Sequence, residues 1–170
     1  MLIALALPTT LAARSGGYTL REATAADVDA LMELLADDGI SASRGDVAQP
    51  EDRPAYLASL EEILGEPSNT VLVVVDADEA IVGTLQLTRV PVMARRGVPR
   101  LLVESVRVSS RLRSSGIGSA VMDWVADVAA PALGAGIVQL TSDMKRVDAH
   151  RFYERLGYDR SHFGFKKQVG

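Results

Sequence analysis

The order of apolar and polar positions divides the chain into short strands and amphipathic helices. YTLREA, Tyr18 to Ala23, reads as a first strand. Thr24 then caps a helix, with Asp27 three residues on as in a capping box; Val28, Leu31, Met32 and Leu35 recur at helical spacing until Gly39 offers a stop. Residues 40–50 read as loop. A second helix runs from about Asp52 to Leu64, with Tyr56, Leu57, Leu60, Ile63 and Leu64 on one side, and Gly65 and Pro67 close it. NTVLVVVD, from Asn69, is rich in β-branched residues and fits a buried strand. After a DADE turn at 76–79, AIVGTLQLTRV alternates. Ile81, Gly83, Leu85 and Leu87 fall on one face, and Val82, Thr84, Gln86 and Thr88 on the other. The two runs predict a hairpin.

A long loop, PVMARRGVPR, leads to a strand at 101–108, LLVESVRV. From Gly116 a helix presents Ile117, Ala120, Val121, Trp124, Val125 and Val128 as a single stripe. GIVQLT at 136–141 is the next strand. VDAHRFYERLGY is a helix whose Gly157 suits a left-handed position past its end, and HFGFKK belongs to a last strand. Strand 101–108, helix 116–130 and strand 136–141 form a β-α-β unit, which places the two strands parallel. The hairpin before them is antiparallel. The expected class is α+β, a mixed sheet with helices packed on it.

Composition narrows the chemistry. The 170 residues fit one domain, read as 18–170 after an N-terminal extension, 1–17, that the SGG at 15–17 divides from it. The apolar run Leu2 to Leu7 is far too short to span a membrane, and no Lys or Arg precedes it. An extension that packs on the domain or on a partner chain is expected, or a start codon assigned too early. No other segment is a membrane candidate. A net charge of −4 argues against a nucleic-acid partner. The absence of cysteine excludes a disulfide scaffold, a zinc–cysteine site and a cysteine nucleophile, and it suits the cytoplasm. No HExxH or carboxylate loop points to a metal, and no GxSxG elbow to a serine nucleophile.

RLRSSGIGS, Arg111 to Ser119, leaves a strand and begins a helix. Helix starts carry unpaired amides and the positive end of the dipole. Gly116 and Gly118 remove side chains that would hold a ligand away, and Arg113, Ser114 and Ser115 add donors. That composition suits phosphate or pyrophosphate; it also suits an ordinary strand-to-helix turn. The loop lacks the Lys-Ser/Thr of a P-loop and the full GxGxxG fingerprint. Upstream, regular alternation aligns Glu104 with Leu102 and Val106, where lost hydration would raise its pKa and make it a general base. A solvent-facing or Arg-paired Glu104 is the other reading. Downstream, Ala149, Phe152, Tyr153 and Leu156 share a helix face. Tyr153 is either a core tyrosine bonded to a carbonyl or a phenol lining a cleft. His150 reads as a surface or edge residue.

A strand with Glu, then VxV, then RxxGxG opening a helix, then a strand, then AxxFYExLGY, resembles the GCN5-related N-acetyltransferase (GNAT) superfamily over about 18–167. The resemblance implies a mostly antiparallel sheet around a β-α-β core that binds acetyl-CoA as co-substrate, with no metal. It implies that Arg113, Ser114, Ser115, Gly116, Ile117, Gly118 and Ser119 hold the CoA pyrophosphate. Backbone at Val106, Arg107 and Val108 would pair with the pantetheine arm, next to a bulge that splays the strands. Tyr153 matches the acid that protonates the leaving thiolate, and Glu104 the base. Where the family frequently has Asn contacting the cofactor this chain has Arg146, which can reach the cofactor or pair with a carboxylate.

The implied reaction is N-acetyl transfer to a primary amine of a small molecule or peptide; the alternative is an acyl-CoA-binding sensor or interaction module. Asp37, Asp38, Asp46, Glu51 and Asp52 form either a surface that attracts cationic acceptors or simply a solvated one, while RRGVPR brings positive charge beside the chemistry. Dimerisation, common in the family, leaves no mark in the sequence.

Overall fold

The valine-rich run that suggested a buried strand lies inside a six-stranded sheet. In the computed structural model, which describes residues 4–169, the strands are β1 (Thr9–Ala13), β2 (Gly16–Glu22), β3 (Asn69–Val75), β4 (Ile81–Val90), β5 (Arg100–Val108) and β6 (Ile137–Leu140). They lie side by side in chain order, every pair antiparallel except β5 with β6. This is the α+β class, with a mixed, mostly antiparallel sheet. β3 is buried on both faces, which is why its sequence is continuously apolar rather than alternating.

Two cores follow from the two faces. On one, Leu20, Leu72, Val74, Leu85, Leu87, Leu101 and Val103 meet Ile117, Val121, Trp124 and Val125, together with Leu5 and Leu11 of the N-terminal segment. On the other, Val71, Val73 and Val75 meet Val28, Leu31, Met32 and Leu60. Residues 9–13, read from the sequence as extension, are thus an edge strand of the sheet, paired with β2 from Thr9↔Leu20 to Ala13↔Gly16.

The helices show what the sequence pattern misses. Helix α1 (Val28–Ala36) begins after Thr24, whose amide donates to the Asp27 carboxylate at 2.7 Å. Arg21 forks the same carboxylate at 2.8 and 2.9 Å and ties α1 to β2. Gly39 does not stop α1; it opens a short helix, α2 (Gly39–Ala42), inside the expected loop, capped where Asp38 accepts from the Ser41 amide at 2.9 Å. Helix α3 (Arg53–Gly65) follows. Helix α4 (Ile117–Trp124) runs through a π turn at Val125–Ala129 into α5 (Ala130–Ala132). The wider turn takes one more residue, so Ala129 faces the core, fully buried, and Val128 points out at 49% exposure, off the expected stripe.

Helix α6 (Val147–Arg155) packs Phe152, Tyr153 and Leu156 on the first core and ends at Gly157, φ +83°. The last strand expected over HFGFKK does not form. Among the described residues, 159–169 pair with no strand, and Phe163 and Phe165 are exposed. Alternation alone makes no strand without a neighbouring backbone to complete its ladder.

Candidate acetyl-CoA site

The parallel pairing of β5 with β6 runs only from Arg100↔Ile137 to Val103↔Leu140. Beyond it, Glu104 to Val108 of β5 continue without a partner on that side among the described residues. One backbone edge is left unpaired there, in the segment where the sequence pattern placed Val106, Arg107 and Val108.

A bulge sits at the branching point. Ser105 has φ +51°, and the register with β4 jumps from Gln86↔Glu104 to Thr84↔Arg107, so that Ser105 and Val106 together oppose Leu85. The regular alternation that aligned Glu104 with Val106 is therefore broken. Thr84 and Gln86 lie on one face of β4, so their partners Arg107 and Glu104 share a face of β5. Glu104 itself is exposed, so of its two readings the structure shows the solvent-facing carboxylate at a strand irregularity and not the apolar row.

Helix α4 starts at the gap. Gly116, at φ +94°, supplies a left-handed turn into the helix, and Ser114 before it is also at positive φ, +64°. Among the described residues the Ile117 amide reaches only the Ser115 hydroxyl, at 3.4 Å. The other first-turn amides have no intrahelical acceptor. A Cβ on Gly118 would lie 3.3 Å from the Phe152 ring, so α6 packs against this first turn. Arg113 and Ser114 are exposed; Ser115, Gly116, Gly118 and Ser119 are half-buried, and Ile117 is a core residue.

The N-terminal hairpin braces this loop, which sequence reasoning did not anticipate. The Ser15 amide donates to the Ser115 carbonyl at 3.0 Å, and the Arg14 guanidinium donates to the Ser114 carbonyl at 2.8 Å. A Cβ on Gly116 would sit 2.9 Å from the Arg14 backbone nitrogen. Contacts across a hundred residues leave no local signature. On the other side, the Ser110 amide donates to the Asp37 carboxylate at 2.6 Å and holds that carboxyl below its ordinary range. Arg113 donates to the Asp37 carbonyl at 3.4 Å. Free first-turn amides, a turn that requires glycine, and flanking serine and arginine donors fit a diphosphate.

Tyr153 stands half-buried on α6, edge-on to Phe152 at 5.1 Å and to Tyr158 at 5.9 Å. Burial pushes its phenol above the usual value, opposed by the guanidiniums of Arg107 and Arg146. Among the described residues no carbonyl accepts from its hydroxyl, which sets aside the core tyrosine bonded to a backbone carbonyl. Such a phenol stays protonated at neutral pH and can give up a proton.

Arg146, just before α6, forks the Asp38 carboxylate at 2.5 and 2.6 Å, so of its two readings the structure shows the pairing with a carboxylate. Burial pushes the Asp38 carboxyl up, but Arg146, the Ser41 amide and Arg107 together carry it down to about 2. Asp46 accepts from the Tyr56 hydroxyl at 2.5 Å. Three members of the acidic group thus have hydrogen-bond partners within the chain, though of these only Asp38 is paired with a cation. His150 is half-buried, its Nε2 at 2.8 Å from the Asp143 carbonyl, an edge position.

Comparison with known proteins agrees with this architecture. The chain is 42% identical over 67 residues to an aminoalkylphosphonate N-acetyltransferase of Salmonella typhimurium, a match that covers 39% of this chain and 43% of that enzyme. The chain therefore aligns with less than half the length of that relative. An uncharacterised N-acetyltransferase of Bacillus subtilis, YhdJ, is 30% identical over 121 residues, covering 69% of this chain and 81% of that protein. A crystal structure called a transcriptional regulator from Bacillus halodurans superposes with a TM-score of 0.81 at 36% identity, over 89% of this chain and 99% of that one. Glucosamine-6-phosphate N-acetyltransferase from Arabidopsis thaliana shares the fold alone, with a TM-score of 0.66 at 20% identity over 90% and 99% of the two chains. The model of the acetyltransferase (GNAT) family matches residues 28–158, and the chain belongs to that family, whose members use acetyl-CoA as co-substrate.

Proposed function

We propose that this protein moves the acetyl group of acetyl-CoA to a primary amine by direct attack in a ternary complex. The observation that carries the reading is the unpaired edge of β5 at Glu104–Val108 opening beside the glycine turn of α4, in a chain of acetyltransferase ancestry. In this reading the amides and side chains of Arg113 to Ser119 hold the diphosphate. The backbone of Val106, Arg107 and Val108 pairs with the extended arm of the cofactor as an added strand. Acetyl-CoA supplies an activated acyl group on a good leaving thiolate.

An alkyl amine arrives protonated at neutral pH, with a reference pKa close to 10. Glu104, hydrated and on the face of β5 that carries Arg107, takes its proton, directly or through water. A carbon–nitrogen bond forms, the carbon–sulfur bond breaks, and the nitrogen's second proton replaces the one that Tyr153 gives up to the thiolate. An amide at the Ser105 bulge answers the charge that develops on the thioester oxygen. The Tyr153 phenol gives its proton to the departing thiolate, and its raised pKa keeps that proton in place beforehand. With no cysteine in the chain, no acetyl-cysteine relay is available.

The name of the Bacillus halodurans neighbour supports a second reading, an acyl-CoA-responsive binding module without efficient transfer. One assay separates the two. Free thiol release from acetyl-CoA is followed over a panel of small amines and lysine peptides, and aminoalkylphosphonates are included because the Salmonella relative is named for them. Transfer is expected, with Tyr153→Phe lowering kcat by about 100-fold, the lower end for a general acid. Acetyl-CoA affinity should move by less than about threefold, since the phenol acts after binding. Tight binding with no turnover on any amine supports the module, and equal kcat in mutant and wild type removes Tyr153 from the chemistry.

A further inference from the structure

Arg107 is a half-buried guanidinium with no carboxylate partner among the described residues. Its bonds go to the carbonyl of Val106 at 2.8 Å and to the hydroxyl of Ser41 at 2.8 Å, and its Nε is buried with no acceptor among the described residues. Ser41, itself buried, lies 3.5 Å from the Arg146 guanidinium as well. Two cations thus converge on one hydroxyl. The nearby carboxylates are already engaged, Asp38 by the fork from Arg146 and Asp46 by Tyr56. Burial and the neighbouring Arg146 both work against the charge on Arg107. A desolvated cation left unpaired is costly, and an oxyanion is the group that relieves it.

The position is as telling as the charge. The Ser105 bulge turns Arg107 onto the same face of β5 as Glu104, two register positions away, about 7 Å along the strand. The phenol of Tyr153 lies within the electrostatic reach of both arginines. We propose that Arg107, with Arg146 beside it, holds an anionic group of the acceptor, so that the substrate is a short zwitterion whose amine lies a few bonds from a phosphonate, phosphate or carboxylate. This rests on the acetyltransferase reading above. It assigns the α2, β5 and α6 junction to the acceptor and disfavours a polyamine, whose second cation would meet two guanidiniums.

The test compares matched acceptors, 2-aminoethylphosphonate and β-alanine against the neutral ethanolamine, as ratios of kcat/KM. The wild-type protein should favour the anionic amines by at least tenfold, with the phosphonate and the carboxylate arms showing which oxyanion fits. Arg107→Gln should cut that ratio at least fivefold, and Arg107→Lys, which keeps a charge, should retain part of it. A fall shared equally by anionic and neutral acceptors, or a wild-type preference for the neutral amine or for spermidine, overturns the proposal. Calorimetry with methylphosphonate on the full chain keeps it separable from catalysis. Binding by wild type that weakens in both Arg107 variants upholds the anion site even where no amine is acetylated, and no binding by wild type overturns it.

Discussion

A carboxylate and a guanidinium 108 residues apart tie the start of α2 to the start of α6. The Asp38–Arg146 fork is bidentate and mostly out of solvent, with 18 and 19% of the two side chains exposed. Its sign can be tested by acid. The folded-state pKa of Asp38, about 2, lies below the value near 4 of an unfolded aspartate, so its stabilisation is present above about pH 4 and is lost as pH falls toward 2. A contribution of about 1–2 kcal/mol is expected once solvent screening is allowed for. Urea unfolding between pH 2 and 6 should show this slope in wild type and a shallower one in Arg146→Gln; parallel profiles would dissociate the pair from stability. Arg146 was legible in the sequence only as an unusual residue at a recurring family position, because its partner is fixed by tertiary packing. Glu104 was legible as a carboxylate on β5, but the sequence left two environments open, because alternation alone gave it an apolar row and only the bulge at Ser105 shows it exposed, on the face of β5 that carries Arg107.

At the scale of elements, the periods of the sequence located every helix and strand of the β-α-β unit, because each buries a stripe or a face large enough to dominate its own segment. Where a segment departs from its ideal period, the pattern fails. The π turn at Val125–Ala129 moves the stripe by one residue, and the bulge in β5 does the same for a strand. Both irregularities lie in the β-α-β unit, and the one in β5 sets Arg107 on the face that carries Glu104, next to where pairing with β6 stops. The glycine turn of α4 was legible for a local reason that the structure extends: Gly116 needs φ +94° and also has the Arg14 backbone 2.9 Å from where a Cβ would sit. Gly116→Ala therefore carries left-handed strain and a steric clash together, which predicts about 1–3 kcal/mol of lost stability. It also shifts the first-turn amides of α4. Acetyl-CoA affinity by calorimetry should fall at least tenfold, while Gly65→Ala, at a site with open space around it, should leave affinity unchanged. Equal affinities would detach the loop from the cofactor.

For the molecule as a whole, the parts that resisted reading are those that depend on a distant neighbour. HFGFKK has a strand's alternation but no adjoining ladder, and it stays outside the sheet. TTLAA, with little alternation to announce it, becomes β1 because β2 offers an open edge and the first core has room for Leu11. Once paired, the hairpin carries Arg14 and Ser15 to the carbonyls of Ser114 and Ser115. Sheet edge, core and the glycine loop before α4 are therefore mechanically one assembly, and damage at the edge should reach the loop. Leu11→Ala removes a side chain only 4% exposed, at an expected cost of about 2–4 kcal/mol. A lower melting temperature alone would follow from any core truncation. The coupling predicts more: at a temperature where Leu11→Ala is still fully folded, its affinity for acetyl-CoA should drop severalfold, whereas Leu60→Ala, equally buried in the opposite core, should lower the melting temperature and spare the affinity. Equal effects of the two substitutions on affinity would mean that the hairpin merely covers the core and has no hold on the loop.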